Sequence, residues 1–444
     1  MIQRSLAPLL RLYRMTPAAP RIADQDVATA RYRSWRLRMF VGFFVGYAVL
    51  YFCRKNISNA MPLIGIDLGY SNVQLGLIGT TLYITYGLGK FCNGVLADRA
   101  NIRVFLATGL IASGLINIWF ASLGSLYLLA LMWGLNGWFQ SMGIPPIARG
   151  MTIWFPAQGR ATRWAFWTCS HQAGTAVVMA MTAWIATWGS WRHFFYIPAA
   201  LCIAVGVGLL FLLADTPESQ GLAPVSAIEG DAVEGGATDL RGGDYWRALL
   251  KHVLLNRNVW VVGLIDLCVY AVRFGTLDWT TKFMIEDKGY EKADAMLRAG
   301  FMPAAGVVGV LVLGIAADRL FGTRYRVVNI ISLAMLGVCM YGFYAVGPGE
   351  PWLDLLFLFG IGFFVEGPQS ILGGVGAVDA GGSARVASAA VGLVGILSYT
   401  GASLSGVGTG WCIDHFQWAG AYTFWIICCA IGLALCLFVW REKR

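Results

Sequence analysis

The fold is decided by residues 47–56, which read YAVLYFCRKN. They place Arg54 about two thirds of the way along an apolar run that begins near Leu37 and is long enough to cross a bilayer. A charge at that depth costs roughly 2.5 to 3.5 kcal/mol and marks a functional site by default. Tyr47, Tyr51 and Arg54 share one helix face, which we expect to line a polar pocket turned away from lipid. The alternative is that Arg54 snorkels to an interface or caps a neighbouring helix.

The chain repeats itself at a nearly constant offset. Arg273 follows Arg54 by 219 residues in a second apolar run, and the sequence GVLADR ending at Arg99 returns 220 residues later as GIAADR ending at Arg319. Such a constant offset indicates a duplicated half. Because transporters built from repeats hold their substrate near the midplane where the halves meet, the two arginines are expected to face each other across a pseudo-two-fold axis.

Composition restricts the class of protein. The 444 residues are 57% hydrophobic and 13% charged, with a mean hydropathy of +0.63, which is too apolar for a soluble globule. The pattern predicts an all-α polytopic membrane protein with twelve transmembrane helices in two pseudo-symmetric six-helix bundles. The apolar runs lie near 37–60, 72–96, 103–121, 125–149, 161–188, 193–214, 258–283, 293–317, 326–346, 352–377, 385–410 and 418–440.

Polar segments between the runs set the predicted domain boundaries. An arginine-rich N-terminal tail covers 1–36 and lacks the continuous apolar core of a signal peptide; an interfacial amphipathic segment and an organellar transit peptide are the alternatives. The Gly-, Ala-, Asp- and Glu-rich stretch 215–257 is predicted to be a flexible linker. It joins bundles at 37–214 and 258–440, and a short tail at 441–444 follows. Lys and Arg concentrate in the loops on one side, so the positive-inside rule places both termini in the cytoplasm.

A GxxxDR motif occurs in two equivalent loops on that side. Its charged pairs are Asp98 with Arg99 and Asp318 with Arg319. Charges at helix ends can form bonds to a neighbouring bundle that break when the halves rock, which predicts a cytoplasmic gate. Simple positive-inside anchoring of the loops is the alternative.

Further motifs extend over the chain from about residue 36 to the C-terminus. They are Gly46-Tyr47, Tyr51, Arg54-Lys55-Asn56, Tyr86, Lys90, Gly137-Trp138-Phe139-Gln140, Trp167, His171, Tyr270, Arg273 and Leu277-Asp278-Trp279. This set resembles the organophosphate:phosphate antiporter family of the major facilitator superfamily, which includes glycerol-3-phosphate and hexose-6-phosphate transporters and a hexose-phosphate sensor.

The resemblance implies a rocker-switch carrier of a bacterial inner membrane in which Arg54 and Arg273 hold a phosphoryl group. The other pocket residues that it implies are Lys90, His171, Tyr47, Tyr51, Tyr86, Trp138 and Tyr270. From the residues alone, Lys90 shares a helix face with Tyr86 or snorkels to the interface, and His171 is either a substrate or proton-linked residue or a structural one. Lys55 projects about 100° away from Arg54 and is interpreted as a charge between helices.

The chemistry of two guanidiniums agrees with that implication. A phosphate monoester carries about one to two negative charges near neutral pH, and the guanidinium fork binds phosphate bidentately. Closing an empty site would bury two unpaired cations, so obligatory exchange of an organophosphate for inorganic phosphate is predicted. The predicted partners are these small molecules and the lipid bilayer, with no cofactor, no metal and no nucleic acid, and the chain is expected to be a monomer. The rival interpretation is a membrane sensor that signals to a partner kinase through the same pocket.

Two acidic residues are not expected from the family pattern. Asp266 lies two turns before Arg273 on the same helix face, and Glu366 lies in the middle of another apolar run. Each is a candidate pocket residue with three possible roles: a counter-ion for a cation of the empty site, a contact to a substrate amine, or a proton-coupling group. Their presence argues against transferring glycerol 3-phosphate or glucose 6-phosphate specificity to this chain.

No sequence motif indicates an enzyme. The chain has no P-loop and no nucleophile or metal-ligand cluster outside the apolar runs. Its ten cysteines lie mostly inside those runs without metal-ligand spacing, so they are interpreted as small buried hydrophobic residues.

Overall fold

A computed structural model describes residues 12–97, 100–156, 160–225, 247–321, 325–381 and 387–439. Its regular structure is helical apart from an isolated bridge between Arg14 and Ala100. The helices of the first half are α1 Gln25–Leu50, α2 Phe52–Leu68, α3 Asn72–Ala97, α4 Ile102–Ala121, α5 Leu126–Gln140, α6 Ile144–Trp154, α7 Arg160–Ala186 and α8 His193–Leu212. Those of the second half are α9 Arg257–Glu286, α10 Lys292–Ala299, α11 Phe301–Arg319, α12 Tyr325–Ala345, α13 Pro351–Ile371, α14 Ala377–Gly381 and α15 Ala387–Ala434.

Local sequence explains where the first span begins and ends. Asp24 caps α1 by accepting hydrogen bonds from the backbone N–H groups of Asp26 and Val27, so the helix starts at Gln25 rather than near residue 37. The break between α1 and α2 falls at Tyr51. Gly69 ends α2 with a φ of 69°, a left-handed conformation that glycine adopts without steric cost.

Length and hydropathy agree with a protein that crosses a membrane repeatedly. Within the described ranges, eight helical segments are long and apolar enough to span a bilayer. The longest, Ala389–Phe438, overlaps two of the predicted apolar runs, 385–410 and 418–440. A non-helical residue, Gln417, with φ 57° and ψ −163°, separates them inside α15. The all-α polytopic fold is therefore confirmed.

The two halves pack against each other through α3 and α15. Gly76 and Gly406 approach so closely that a Cβ on either would meet the backbone of the other, a contact that small residues allow. Thr80 Oγ1 donates a hydrogen bond to the carbonyl of Ser403 over 2.8 Å. At the end opposite the chain termini, the carboxylate of Asp414 accepts from the backbone N–H of Asn72. These contacts extend from the middle of the bundle to that end.

Candidate functional site

The two predicted arginines lie inside the protein between the halves. Arg54 on α2 is 3% exposed and Arg273 on α9 is 4% exposed. Arg273 Nη2 lies 3.4 Å from Nε2 of His171, which belongs to the other half. The guanidinium of Arg54 lies 4.2 Å from the ring centre of Tyr86. Lipid-facing or snorkelling side chains would be exposed, so the burial of Arg54 argues against the snorkelling alternative and does not test that of helix capping.

Aromatic rings, rather than acidic groups, surround Arg54. Its guanidinium also lies 5.1 Å from the ring centre of Tyr51. Of these two rings, that of Tyr86 is nearer to the guanidinium. Tyr86 in turn packs against Tyr399 of the second half, with ring centres 4.9 Å apart. Within the part of the chain that the structure describes, neither Nε nor Nη2 of Arg54 has a hydrogen-bond partner. Because cation–π contacts leave these donors unsatisfied, an anion is the ligand that this site suits.

Arg273 has a different environment. Its Nε donates to Glu366 Oε1 over 2.6 Å, and both side chains are buried. Its guanidinium also lies 4.9 Å from the ring centre of Phe274. Of the three roles open for Glu366, the structure supports that of counter-ion to an arginine. The other carboxylate oxygen, Oε2, has no partner among the described residues.

The tyrosines predicted from the first span form one wall. The ring centre of Tyr47 lies 4.7 Å from that of Trp167 and 5.4 Å from that of Tyr51. Tyr51 in turn packs against His171 at 5.4 Å, which connects this wall to Arg273. The structure therefore brings these predicted pocket residues together around the two arginines.

Lys90, Trp138 and Tyr270 lie nearer the end with the chain termini. Lys90 is half-buried, and its Nζ lies 5.7 Å from the ring centre of Tyr399. Tyr270 packs against the same ring at 5.6 Å, and its hydroxyl accepts from Gln369 Nε2 over 3.1 Å. Trp138 packs over Gly89, the residue before Lys90.

Asp266 forms no bond with Arg273 in the described structure. Its Oδ2 accepts a short hydrogen bond from Ser398 Oγ on α15. Its Oδ1 has no hydrogen-bond partner in the described ranges, although the residue is completely buried. Since Ser398 precedes Tyr399, this carboxylate belongs to the same layer as Lys90 and Tyr270.

A buried ion pair beside the arginines was missed by the sequence analysis. Lys55 Nζ donates to Asp278 Oδ1 over 2.7 Å and joins α2 to α9. The same carboxylate accepts from Ser58 Oγ over 2.7 Å and from the hydroxyl of Tyr83. One turn further, Thr281 Oγ1 donates to Asn59 Oδ1 over 2.7 Å, so the contact between the halves continues. The sequence analysis interpreted Lys55 as a charge between helices but did not identify its partner, although Lys55 and Asp278 belong to the two motifs that contain the arginines.

The predicted gate falls largely on parts of the chain for which the structure gives no side-chain description. Asp98 and Arg99 lie outside the described residues, and the side chain of Asp318 is also outside them. Arg319 ends α11 and is exposed. The gate therefore stays a prediction.

Comparison with known proteins identifies the fold and the family. The Major Facilitator Superfamily profile matches residues 43–373. A probable hexose phosphate transport protein of Chlamydia pneumoniae is 36% identical over 434 residues, covering 95% of each chain. The glycerol-3-phosphate transporter of Bacillus subtilis is 31% identical and covers 98% of this chain and 99% of its own. The membrane sensor protein UhpC of Salmonella typhimurium is 34% identical, covering 94% of each chain.

A solved structure shows the same fold at low sequence identity. A bacterial homologue of the human lysosomal transporter Spinster, in an inward-facing and unoccupied conformation, superposes with a TM-score of 0.73 at 15% identity, covering 91% of this chain and 96% of its own.

The chain is thus an integral membrane protein of the Major Facilitator Superfamily, a class of transporters and not of enzymes. Within that class it belongs to the organophosphate:phosphate antiporter family, as its motifs and its relatives both indicate.

Proposed function

We propose that the protein exchanges an organophosphate for inorganic phosphate by alternating access, with Arg54 and Arg273 as the two phosphoryl ligands. The observation that carries this proposal is the burial of both guanidiniums in one site between the halves. Names of relatives that transport hexose phosphate or glycerol 3-phosphate support an organophosphate substrate.

The unequal environments of the arginines suggest an order of binding. Two buried donors of Arg54 have no partner among the described residues, so Arg54 offers the phosphoryl group an unopposed cation. Arg273 is already paired with Glu366, and a phosphate must compete with that carboxylate for the guanidinium. Phosphate therefore contacts Arg54 first and then draws Arg273 away from Glu366, which pulls the two halves together over the substrate.

The distribution of contacts between the halves supports access from one end. The bonds of Asp414 to Asn72 and of Lys55 to Asp278 close the bundle from its middle to the end opposite the termini. Charge in the loops favours the cytoplasm as the location of the termini. We therefore propose an inward-facing carrier in a bacterial inner membrane that works as a monomer, with the bundles 37–214 and 258–440 as the moving bodies and 215–257 as the linker.

The sensor interpretation remains the competing function because the UhpC relative is 34% identical over 94% of the chain. A sensor and a carrier would use the same arginines. They differ in whether binding is followed by translocation of the ligand, so transport itself has to be measured.

Counterflow in proteoliposomes tests the proposal. Vesicles loaded with labelled phosphate should release the label only when phosphate or an organophosphate such as glucose 6-phosphate is supplied outside. Arg192, which pairs with Asp67 outside the site, provides the control: Arg192→Lys should exchange normally. Binding of glucose 6-phosphate without counterflow would support the sensor, and absence of binding by any phosphate ester would refute both functions.

A further inference from the structure

The described ionic side chains of the central site leave little net positive charge. The cations are Arg54, Lys90 and Arg273, and the anions are Asp266 and Glu366. With both carboxylates ionised, the set carries a single net positive charge. A phosphate monoester near neutral pH carries about 1.5 to 2 negative charges, so binding it would leave the closed site with up to about one uncompensated negative charge in a low-dielectric environment.

Each of the two carboxylates also has one oxygen without a hydrogen-bond donor in the described structure. Asp266 Oδ1 and Glu366 Oε2 are both buried, and neither has a hydrogen-bond partner among the residues that the structure describes. A buried acceptor without a donor is costly, and an ionised one more so. If phosphate binds Arg273 in place of Glu366, Oε1 of Glu366 also loses its hydrogen-bond donor. Donors on Arg54 and Gln172 that have no partner within the described ranges lie beside the phosphoryl ligands and Glu366, so Asp266 Oδ1 is the acceptor on which the inference depends.

Asp266 is placed to contact a part of the ligand distant from the phosphoryl group. It precedes Arg273 by seven residues on α9, which is about 10 Å along a helix. Ser398 donates to Oδ2, and Oδ1 has no hydrogen-bond partner in the described part of the chain. Lys90 and Tyr270 lie in the same layer through their contacts with Tyr399.

We propose that the organophosphate substrate carries an ammonium group, which Asp266 binds through Oδ1 while the arginines hold the phosphoryl group. This inference rests on the proposed transport function. An ammonium supplies the missing donor and the missing positive charge together, whereas a hydroxyl in its place supplies only the donor. Amino-sugar phosphates are substrates of this chemistry.

Three ligands that differ at one position test the proposal. Glucosamine 6-phosphate and glucose 6-phosphate have the same phosphoryl group and nearly the same size, but only the first has an ammonium. N-acetylglucosamine 6-phosphate removes the charge from that nitrogen. We expect the amine to inhibit phosphate counterflow at about tenfold lower concentration than glucose 6-phosphate, and acetylation to abolish the advantage.

Asp266→Asn should reduce the ratio of the two inhibition constants to about one, since the amide is isosteric but uncharged. Asp67→Asn removes a carboxylate that pairs with Arg192 outside the site, and it should retain the ratio of the unmodified protein. Because the readout is a ratio of two ligands on one protein, a general loss of binding does not imitate the effect.

Equal affinity of the unmodified protein for the amine and the hydroxyl ligand would overturn the proposal, even if Asp266→Asn failed to fold. An advantage of the amine that persists in Asp266→Asn would also overturn it. In both cases phosphate and glucose 6-phosphate would still exchange, which separates this outcome from failure of the proposed function, where no phosphate ester would drive counterflow.

Discussion

Arg54 and Arg273 occupy equivalent positions in the two halves, yet their surroundings differ. Arg54 is enclosed by Tyr51 and Tyr86 and has donors without partners in the described structure. Arg273 is neutralised by Glu366. The duplication therefore preserved the position of the guanidinium but not its counter-ion. In this comparison the first half provides the unopposed cation, and the second provides a cation whose availability depends on a competing carboxylate.

Replacing Arg54 should have the largest effect. Arg54→Lys keeps the charge but loses the planar fork and the five fixed donors, so the bidentate contact to phosphate is lost. We expect the rate of counterflow to fall by about 100-fold or more, which is the size of effect seen when one partner of a buried, hydrogen-bonded charge pair is removed. Arg273→Lys should lower counterflow to a similar extent, because the second fork is equally needed to close the site.

The measurement is labelled phosphate counterflow at matched protein content, with Arg192→Lys as control. Normal exchange by Arg54→Lys or by Arg273→Lys would contradict the assigned role of that arginine. Correct folding of the variants can be verified by their elution as a single species in detergent.

The buried pair between Lys55 and Asp278 is expected to have the next largest effect, on stability. Asp278→Leu leaves the ammonium of Lys55 buried without its carboxylate, and breaking such pairs costs about 3 to 5 kcal/mol. The double variant Lys55→Met with Asp278→Leu removes both charges and should regain most of that loss. Unfolding by chemical denaturant in detergent measures the free energy of unfolding of the single and the double variant.

Additive losses in the double variant would show that the two side chains do not act as a pair. They would also indicate that Ser58 and Tyr83, which donate to the same carboxylate, contribute more to stability than the lysine does.

Glu366→Gln tests the asymmetry between the arginines directly. Removing the negative charge leaves Arg273 unopposed, like Arg54, so a phosphate ion no longer competes with a resident carboxylate. Apparent phosphate affinity should rise by about tenfold, a difference of about 1.4 kcal/mol. In a thermal-shift titration, phosphate should therefore raise the unfolding midpoint of Glu366→Gln more than that of the unmodified protein at the same phosphate concentration.

Glu286→Gln is the matched control, since Glu286 pairs with Lys282 at the far end of α9. An unchanged phosphate affinity in Glu366→Gln would mean that Glu366 does not compete with the ligand, and the proposed order of binding would be wrong.

Much of this organisation could be predicted from sequence because it depends on local pattern. The apolar runs predicted the positions of the helices, and the repeat offset predicted that Arg54 and Arg273 share one interface between the halves. The roles of Asp266 and Glu366 were each left among three alternatives, because periodicity gives the face of a helix but not the side chain opposite it. Pairing Lys55 with Asp278 requires the relative height of two helices from different halves, which spacing within either helix does not contain.

The smallest effect is expected at an ion pair outside the site. Arg192 Nη1 donates to Asp67 Oδ2 over 3.0 Å, but both side chains are substantially exposed, at 36% and 47%. Water can replace the lost contact, and Trp191 Nε1 still donates to the same carboxylate over 2.9 Å. Arg192→Gln should therefore leave the unfolding midpoint and the counterflow rate unchanged within error. A loss comparable to that of Asp278→Leu would show that burial is not what distinguishes the two pairs, and that the end of the bundle opposite the termini is held by Arg192 as firmly as its centre is by Lys55.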